Sequence, residues 1–363
     1  MAYVPFGESV EVHQKDEQRL TDQIVASVLR TNRVRFEKHQ HAVREAHAKS
    51  HGLLVGQLIV NEGLPSHLKQ GLFAAPGSFP VIARLSSAPG DIQSDRIPTP
   101  RGMALKVLGV PGPMLNESPS PTPNQDWLLV NAPAIPFGDI GSYAQVQKLI
   151  ENRADTAEIL KRVAAKAARG ANLLLGMVGL QSEILEDLGP ANSHILGETF
   201  HSMAAVRFGE FIAKLSVAPL SGNVRALAGA SIDADDDHPC ALRDRVAEFF
   251  RGSSAEYEVR AQLCVDLDKM PIEDASVIWD EDVSPHQPVA RLIFPSQATD
   301  SPARRVFGDD QLSFTPWRAM TAHRPLGSIM RVRKPVYEAS VRFRQEMNAR
   351  EIVEPTSLSD VPQ

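Results

Sequence analysis

The sequence predicts an α+β domain built on an antiparallel sheet or barrel, with helices inserted between the strands and flanking them. Three observations predict it. Seven or eight short segments are rich in β-branched and aromatic residues and bounded by Gly or Pro, as strands are. Longer stretches between them carry apolar residues at helical spacing. The regular strand–helix alternation of a parallel fold is absent. At 363 residues, 43% apolar and 23% charged, the chain is long enough to bury a substantial core.

The elements follow in order. Residues 1–15 read as an irregular N-terminal arm. From 16 to 49 the pattern is helical, with Leu20, Ile24 and Val28 recurring every four residues. Strands are expected at 53–60, 79–85, 102–110 and 126–130, and the Pro-rich run 111–124 between the last two is loop. Residues 142–188 read as helical around an Ala/Leu-rich face. A pair of strands fills 200–219, a short helix 242–251, and an alternating strand 256–266. Residues 288–295 are the last strand. A helix is expected over 335–350, with Pro335 in its first turn, where its missing N–H costs nothing. The polar tail is expected to fray. The organisation is therefore an arm at 1–15, a single domain at 16–350 and a tail at 351–363.

Composition excludes several classes. Lys and Arg total 38 and Asp and Glu 44, a net charge of −6, so no basic footprint for nucleic acid exists. Two cysteines, Cys240 and Cys264, make neither a disulfide framework nor a four-thiolate metal site. The opening residues lack a basic-then-apolar leader. The most apolar stretch, Gly170–Leu180, is too short to span a bilayer. A cytoplasmic protein without a membrane span is expected. No Gly-rich dinucleotide fingerprint is present.

Two windows carry chemistry. The first, Arg44-Glu-Ala-His47-Ala-Lys-Ser-His51 with His39 and His41, holds four of the eleven histidines. His47 and His51 would share a helix face, and a zinc site is one reading. The His-Glu-x-x-His protease pattern is missing, and exposed helix histidines are the plainer reading. The second window is Arg333-x-x-x-Tyr337 with Arg344. A guanidinium beside a phenol favours phenolate, a hard ligand for ferric iron and an attested proximal haem ligand. The plainer reading is a basic surface helix with one packed aromatic.

Taken together, these windows resemble the haem catalases. Arg44-x-x-His47-Ala-Lys-x-x-Gly52 resembles the family's distal-histidine segment, and Arg84-Leu-Ser86-Ser87 the strand after it. Thr99-Pro-Arg101-Gly102-Met-Ala-Leu-Lys106 is similar to its Asp-Pro-Arg-Gly segment. Gln125-Asp-Trp-Leu-Leu-Val-Asn131-Ala-Pro133 is similar to its distal-asparagine strand. Met270-Pro-Ile-Glu-Asp274 with Trp279-Asp280 resembles a later barrel segment. Arg333-x-x-x-Tyr337 with Arg344 resembles the proximal helix, and residues 314–344 look most like the smaller catalase-related haem proteins. The order is kept from about residue 40 to 350.

The resemblance implies a catalase-like barrel and haem b (iron) as cofactor. It implies His47 as distal acid–base, Asn131 as the distal amide and Ser86 as the group orienting the imidazole. Tyr337 would be the axial ligand, kept ionised by Arg333. Arg44, Arg84 and Arg344 would pair with haem propionates, and Phe137 and Tyr143 would line the haem or its channel. The activity implied is that of a peroxidase or catalase-like oxidoreductase. It would cleave hydrogen peroxide or organic hydroperoxides heterolytically, with a small-molecule electron donor. A homo-oligomer built by exchange of N-terminal arms is also implied. The sequence departs from the family at Thr99, at Val130-Asn131-Ala132-Pro133 and at Ile135-Pro136-Phe137. A reshaped pocket follows, which favours peroxidase action or an organic hydroperoxide. The competing readings are a fatty-acid hydroperoxide-rearranging enzyme similar to allene oxide synthases, a non-catalytic haem binder, and the zinc protein.

Overall fold

The structure, a computed structural model, describes residues 2–118, 122–152, 192–232 and 238–363. Helix α1 (Glu17–His39) turns Ile24 and Val28 inward, as their spacing predicts. It stops ten residues before the expected end. Gln40 adopts a left-handed conformation and its N–H bonds back to the Phe36 carbonyl, a helix-ending geometry. His47 and His51 therefore do not share a helix face.

Nine strands are described: β1 (Ser50–Val60), β2 (Ser78–Ser87), β3 (Arg101–Val107), β4 (Gln125–Val130), β5 (Phe200–His201), β6 (Val206–Phe208), β7 (Phe211–Pro219), β8 (Ala255–Leu263) and β9 (Gln287–Phe294). Neighbours pair antiparallel, and eight of them close a barrel in the order β1-β2-β3-β4-β5-β7-β8-β9. β5 and β6 lie along one edge of β7 as two halves of an interrupted strand. Closure takes two forms. β4 meets β5 only through Val130 and His201. β1 meets β9 where Gly56 lets the backbones approach, since a Cβ there would lie 2.3 Å from the Ile293 carbonyl oxygen.

Alternation fills the interior. On β8, Ala255, Tyr257 and Val259 point inward and are fully buried. They join Leu54, Leu58, Leu85, Leu105, Leu215 and Leu292 in one core. Tyr257 keeps its hydroxyl satisfied on the Leu196 carbonyl at 2.9 Å, as a buried phenol must.

Helix α2 (Ile140–Asn152) is the described part of the predicted 142–188 helix; the remainder, with the apolar stretch 170–180, lies outside the described residues. Helix α3 (Ala241–Gly252) matches its prediction. Helix α4 (Ser328–Asn348) begins a full two turns earlier than predicted and carries Pro335 in its interior. Pro335 gives up only the bond to the Arg331 carbonyl, and packing on α1 holds the rest. Phe36 and Phe343 meet there edge-to-face at 6.4 Å.

Both ends of the chain are docked. In the arm, Val4 and Phe6 N–H bond to the Cys264 and Glu210 carbonyls. Glu11, Glu17 and Glu273 surround Arg331 at the start of α4. The predicted fraying of the tail is corrected: Glu354 bonds the fully buried Lys106 at 2.9 Å and Val361 is buried. Leaving the Lys106 ammonium under-paired in the interior would be costly. Among the described residues no helix is long and apolar enough to cross a membrane.

Candidate functional site

Past α1 the chain runs as loop 41–49 into β1. His47 sits on this loop with φ 57°, a left-handed conformation that is uncommon for non-glycine residues. Three bonds hold it there. Its N–H bonds the Ala88 carbonyl, its carbonyl accepts from Arg84 Nη1 at 3.0 Å, and Ala48 N–H bonds the Pro89 carbonyl. The imidazole Nδ1 lies 3.0 Å from Ser86 Oγ on β2. Beneath the ring is Gly102 on β3. A Cβ there would come within 2.5 Å of both Cε1 and Nδ1 of His47, so only glycine fits under the imidazole.

Opposite the loop runs α4. Arg333 and Tyr337 are one turn apart, and Arg333 Nη2 donates to Tyr337 Oη at 2.8 Å. His47, Tyr337, Arg333, Arg84, Arg44 and Arg344 line one cavity of about 600 Å³. Its floor is apolar, from Met103, Leu128, Leu129, Val130 and Phe314.

The charge balance is cationic. Burial pushes the His47 imidazole down to about 3, and the positive charges of Arg84, Arg333 and Arg44 act in the same direction. His47 is therefore neutral and able to accept a proton. Burial and mutual repulsion also lower Arg44 well below its ordinary value. The three rim arginines converge on the turn 308–312. Arg84 Nε and Nη2 donate to Asp309 Oδ1 at 3.0 and 2.8 Å. Arg44 donates to the Gly308, Asp309 and Leu312 carbonyls, and Arg344 Nη1 to the Asp309 carbonyl. Burial opposes the Asp309 charge, but Arg84 and Arg44 outweigh it and hold the carboxyl below its usual range. Arg344 Nε is buried without a partner.

Of the predicted residues, Arg44, His47, Arg84, Ser86, Arg333, Tyr337 and Arg344 come together around this cavity. Asn131 is elsewhere. Its Oδ1 accepts the Arg101 N–H at 2.7 Å, and it lines a separate cleft with Thr99, Arg101 and Asn192. Phe137 stacks on Tyr143 at 4.8 Å, and both line a second cavity of about 610 Å³. The two cavities share Glu45 and Ala46. Four residues of the site were not singled out from sequence: Gly102, Glu45, Ser340 and Asp309. Gly102 and Glu45 lay inside the quoted motifs. Ser340 donates to the Glu45 carboxylate and is one turn beyond Tyr337. Asp309 sits in a connecting segment with no local signal. His51 is fully buried on Ser87 Oγ at 2.8 Å, and no group of three or more metal-ligating side chains occurs among the described residues.

The donor set suits a haem: a phenol bonded by a guanidinium, a neutral imidazole and three arginines line one cavity, and Arg344 Nε there is unpartnered. Comparison of the whole chain agrees at the level of fold. A fungal catalase superposes over 95% of this chain and 66% of its own, at TM-score 0.60 and 13% identity. Catalase A from Saccharomyces cerevisiae covers 95% and 67%, at 0.55 and 15%. A bacterial catalase covers 94% and 63%, at 0.59 and 16%. The chain thus spans about two thirds of the length of these catalases. No family model and no curated protein matches the sequence. The closed eight-stranded antiparallel barrel, with its flanking helices and strand order, is the catalase fold.

Proposed function

We propose that the protein is a haem-dependent oxidoreductase that consumes hydrogen peroxide or an organic hydroperoxide, drawing electrons from a small-molecule donor. The observation that carries this reading is the neutral His47, on Ser86, in the same cavity as the Arg333–Tyr337 pair. Tyr337, whose oxygen accepts from Arg333 Nη2, would hold the haem iron in this reading. Arg344 Nε, with Arg44 and Arg84 nearby, suits the propionates. Haem iron, when bound, supplies the electrons for heterolytic O–O cleavage.

The chain's own part is proton handling. Ser86 occupies Nδ1, which leaves His47 Nε2 to take the proton of the hydroperoxide O–H. The same nitrogen then returns it to the departing oxygen, which leaves as water or an alcohol. Burial keeps His47 neutral beforehand, and the Gly102 floor keeps the ring in place. Asn131 lines a separate cleft, and among the described residues no side-chain amide lines the His47 cavity. That difference, with the adjoining apolar cavity, favours a peroxidase on organic hydroperoxides over rapid dismutation of hydrogen peroxide.

The test is direct. Haem-loaded protein should oxidise a reducing dye with cumene hydroperoxide, and His47→Ala should retain haem while losing about 10²–10⁴-fold in rate. A loaded protein that neither oxidises the dye nor evolves oxygen from hydrogen peroxide would refute the reading. Retained rate in His47→Ala would mean that turnover does not use His47 as its acid–base group.

A further inference from the structure

Met330 and Trp317 continue outward from the Arg333–Tyr337 pair. Arg333 Nη2 donates to Tyr337 Oη at 2.8 Å, and its Nη1 lies 3.5 Å from Met330 Sδ, one turn back along α4. Trp317, in the segment that leads into α4, donates its indole Nε1 to the Met330 carbonyl at 2.7 Å. The indole packs with Ala319 and with Leu115, a buried residue of the otherwise largely exposed loop 111–118. The Leu115 N–H bonds the Ala319 carbonyl and ties that loop down. Trp317 itself is 7% exposed. A contiguous line of contacts thus runs from the phenol in the cavity to an oxidisable side chain at the surface.

The other two tryptophans lack this combination. Trp127 stacks on Phe73 in the core, and its Nε1 has no partner. Trp279 also has an unpartnered Nε1, and the Lys214 Nζ lies 5.1 Å from the centre of its ring. A cation there opposes the loss of an electron, because the new charge would lie beside one already present. Trp317 has the reverse setting. Its N–H is bonded to a carbonyl, and such a bond strengthens when the donor becomes charged.

We propose that Trp317 is the electron relay of this site, serving one-electron donors too bulky to enter the cavity. The inference rests on the peroxidase reading above and names how its donor is met. Trp317 passes one electron inward to the centre oxidised by the hydroperoxide and becomes an indole radical cation. The proton stays on Nε1, held by the Met330 carbonyl. A donor at the 111–118 surface returns the electron and releases a proton. Two donors, each losing one electron and one proton, reduce one hydroperoxide to an alcohol and water. Arg333 and Met330 bridge the two rings and are not themselves oxidised.

Freeze-quenched electron paramagnetic resonance tests the proposal on haem-loaded protein mixed with cumene hydroperoxide and no donor. A radical signal should appear in the wild type and narrow when its tryptophans carry deuterated indole. Trp317→Phe should still bind haem but lose the signal, and Trp317→Tyr should replace it with a phenoxyl signal. Trp317→Phe should also lose most of its rate with a dextran-linked phenol while keeping its rate with the free phenol. Zinc protoporphyrin, loaded in place of haem and photo-oxidised by hexaammineruthenium(III), gives a readout free of turnover. A transient indole radical should form there in the wild type and be missing from Trp317→Phe. A signal that survives Trp317→Phe, or an unchanged rate with the dextran-linked phenol, would overturn the proposal. A haem spectrum that responds to the hydroperoxide without any indole radical removes the relay alone. A haem spectrum that does not respond removes the peroxidase reading, and the zinc porphyrin then decides for or against Trp317.

Discussion

The two walls of the main cavity are built in opposite ways. Tyr337 and Arg333 sit one turn apart on a 21-residue helix, and regular geometry brings the guanidinium to the phenol at 2.8 Å. His47 sits on a loop in a left-handed conformation, and its position depends on Ala88, Arg84, Ser86 and the space above Gly102. One wall is specified by spacing along the chain. The other is specified by the register of three strands. A disturbance of the first should remove one interaction, whereas a disturbance of the second should misplace the proposed acid–base group.

The largest expected effect removes the local wall's functional atom. Tyr337→Phe should fold normally, because α4 keeps its ring and its packing; if Tyr337 holds haem iron as proposed, the ligand signature in the spectrum of the haem-loaded protein should vanish. An unchanged spectrum would mean that another side chain takes the iron. Gly102→Ala attacks the other wall. The added methyl must displace the imidazole, and a displacement near 1 Å should cost on the order of 10²-fold in turnover with haem still bound. Full activity in this variant would show that His47 needs no fixed floor.

The smallest effect is on stability, and it belongs to the buried histidines. Burial is the main cause that lowers His47 to about 3 and His201, His286 and His323 to about 4. An unfolded histidine titrates near 6.5. Between about pH 6.5 and 4 the unfolded chain takes up protons that the folded chain refuses, so stability falls as pH drops through that window. Urea midpoints measured from pH 7 to 4 should decline steadily. A flat profile would mean that these imidazoles are protonated in the folded state.

What was legible in the sequence follows the same division. The barrel strands were readable because alternation and Gly/Pro boundaries are local signals, and Arg333–Tyr337 because four residues is one helical turn. The end of α1 was not, since Gln40 stops it by backbone conformation rather than by Gly or Pro. The start of α4 was misread because Pro335 suggested a beginning, while the true cap is Gly327 with φ 89°. Asp309 was invisible for a third reason. It matters only because Arg44, Arg84 and Arg344, from three distant elements, close around its turn. Asn131 shows the converse: a motif places an amide at a strand end, but a backbone N–H only 2.7 Å away claims it.

The cluster of Glu11, Glu17 and Glu273 around Arg331 also sets a timetable. Arg331 lies 320 residues after Glu11, and a ribosome adding 5–20 residues per second takes roughly 16–64 s to cover that distance. Until Arg331 emerges the Glu11 and Glu17 carboxylates await their cation, and the segment carrying His47 has no α4 to pack with. The cavity is completed only when α4 emerges, so a nascent chain acquires the histidine wall first and the tyrosine wall last.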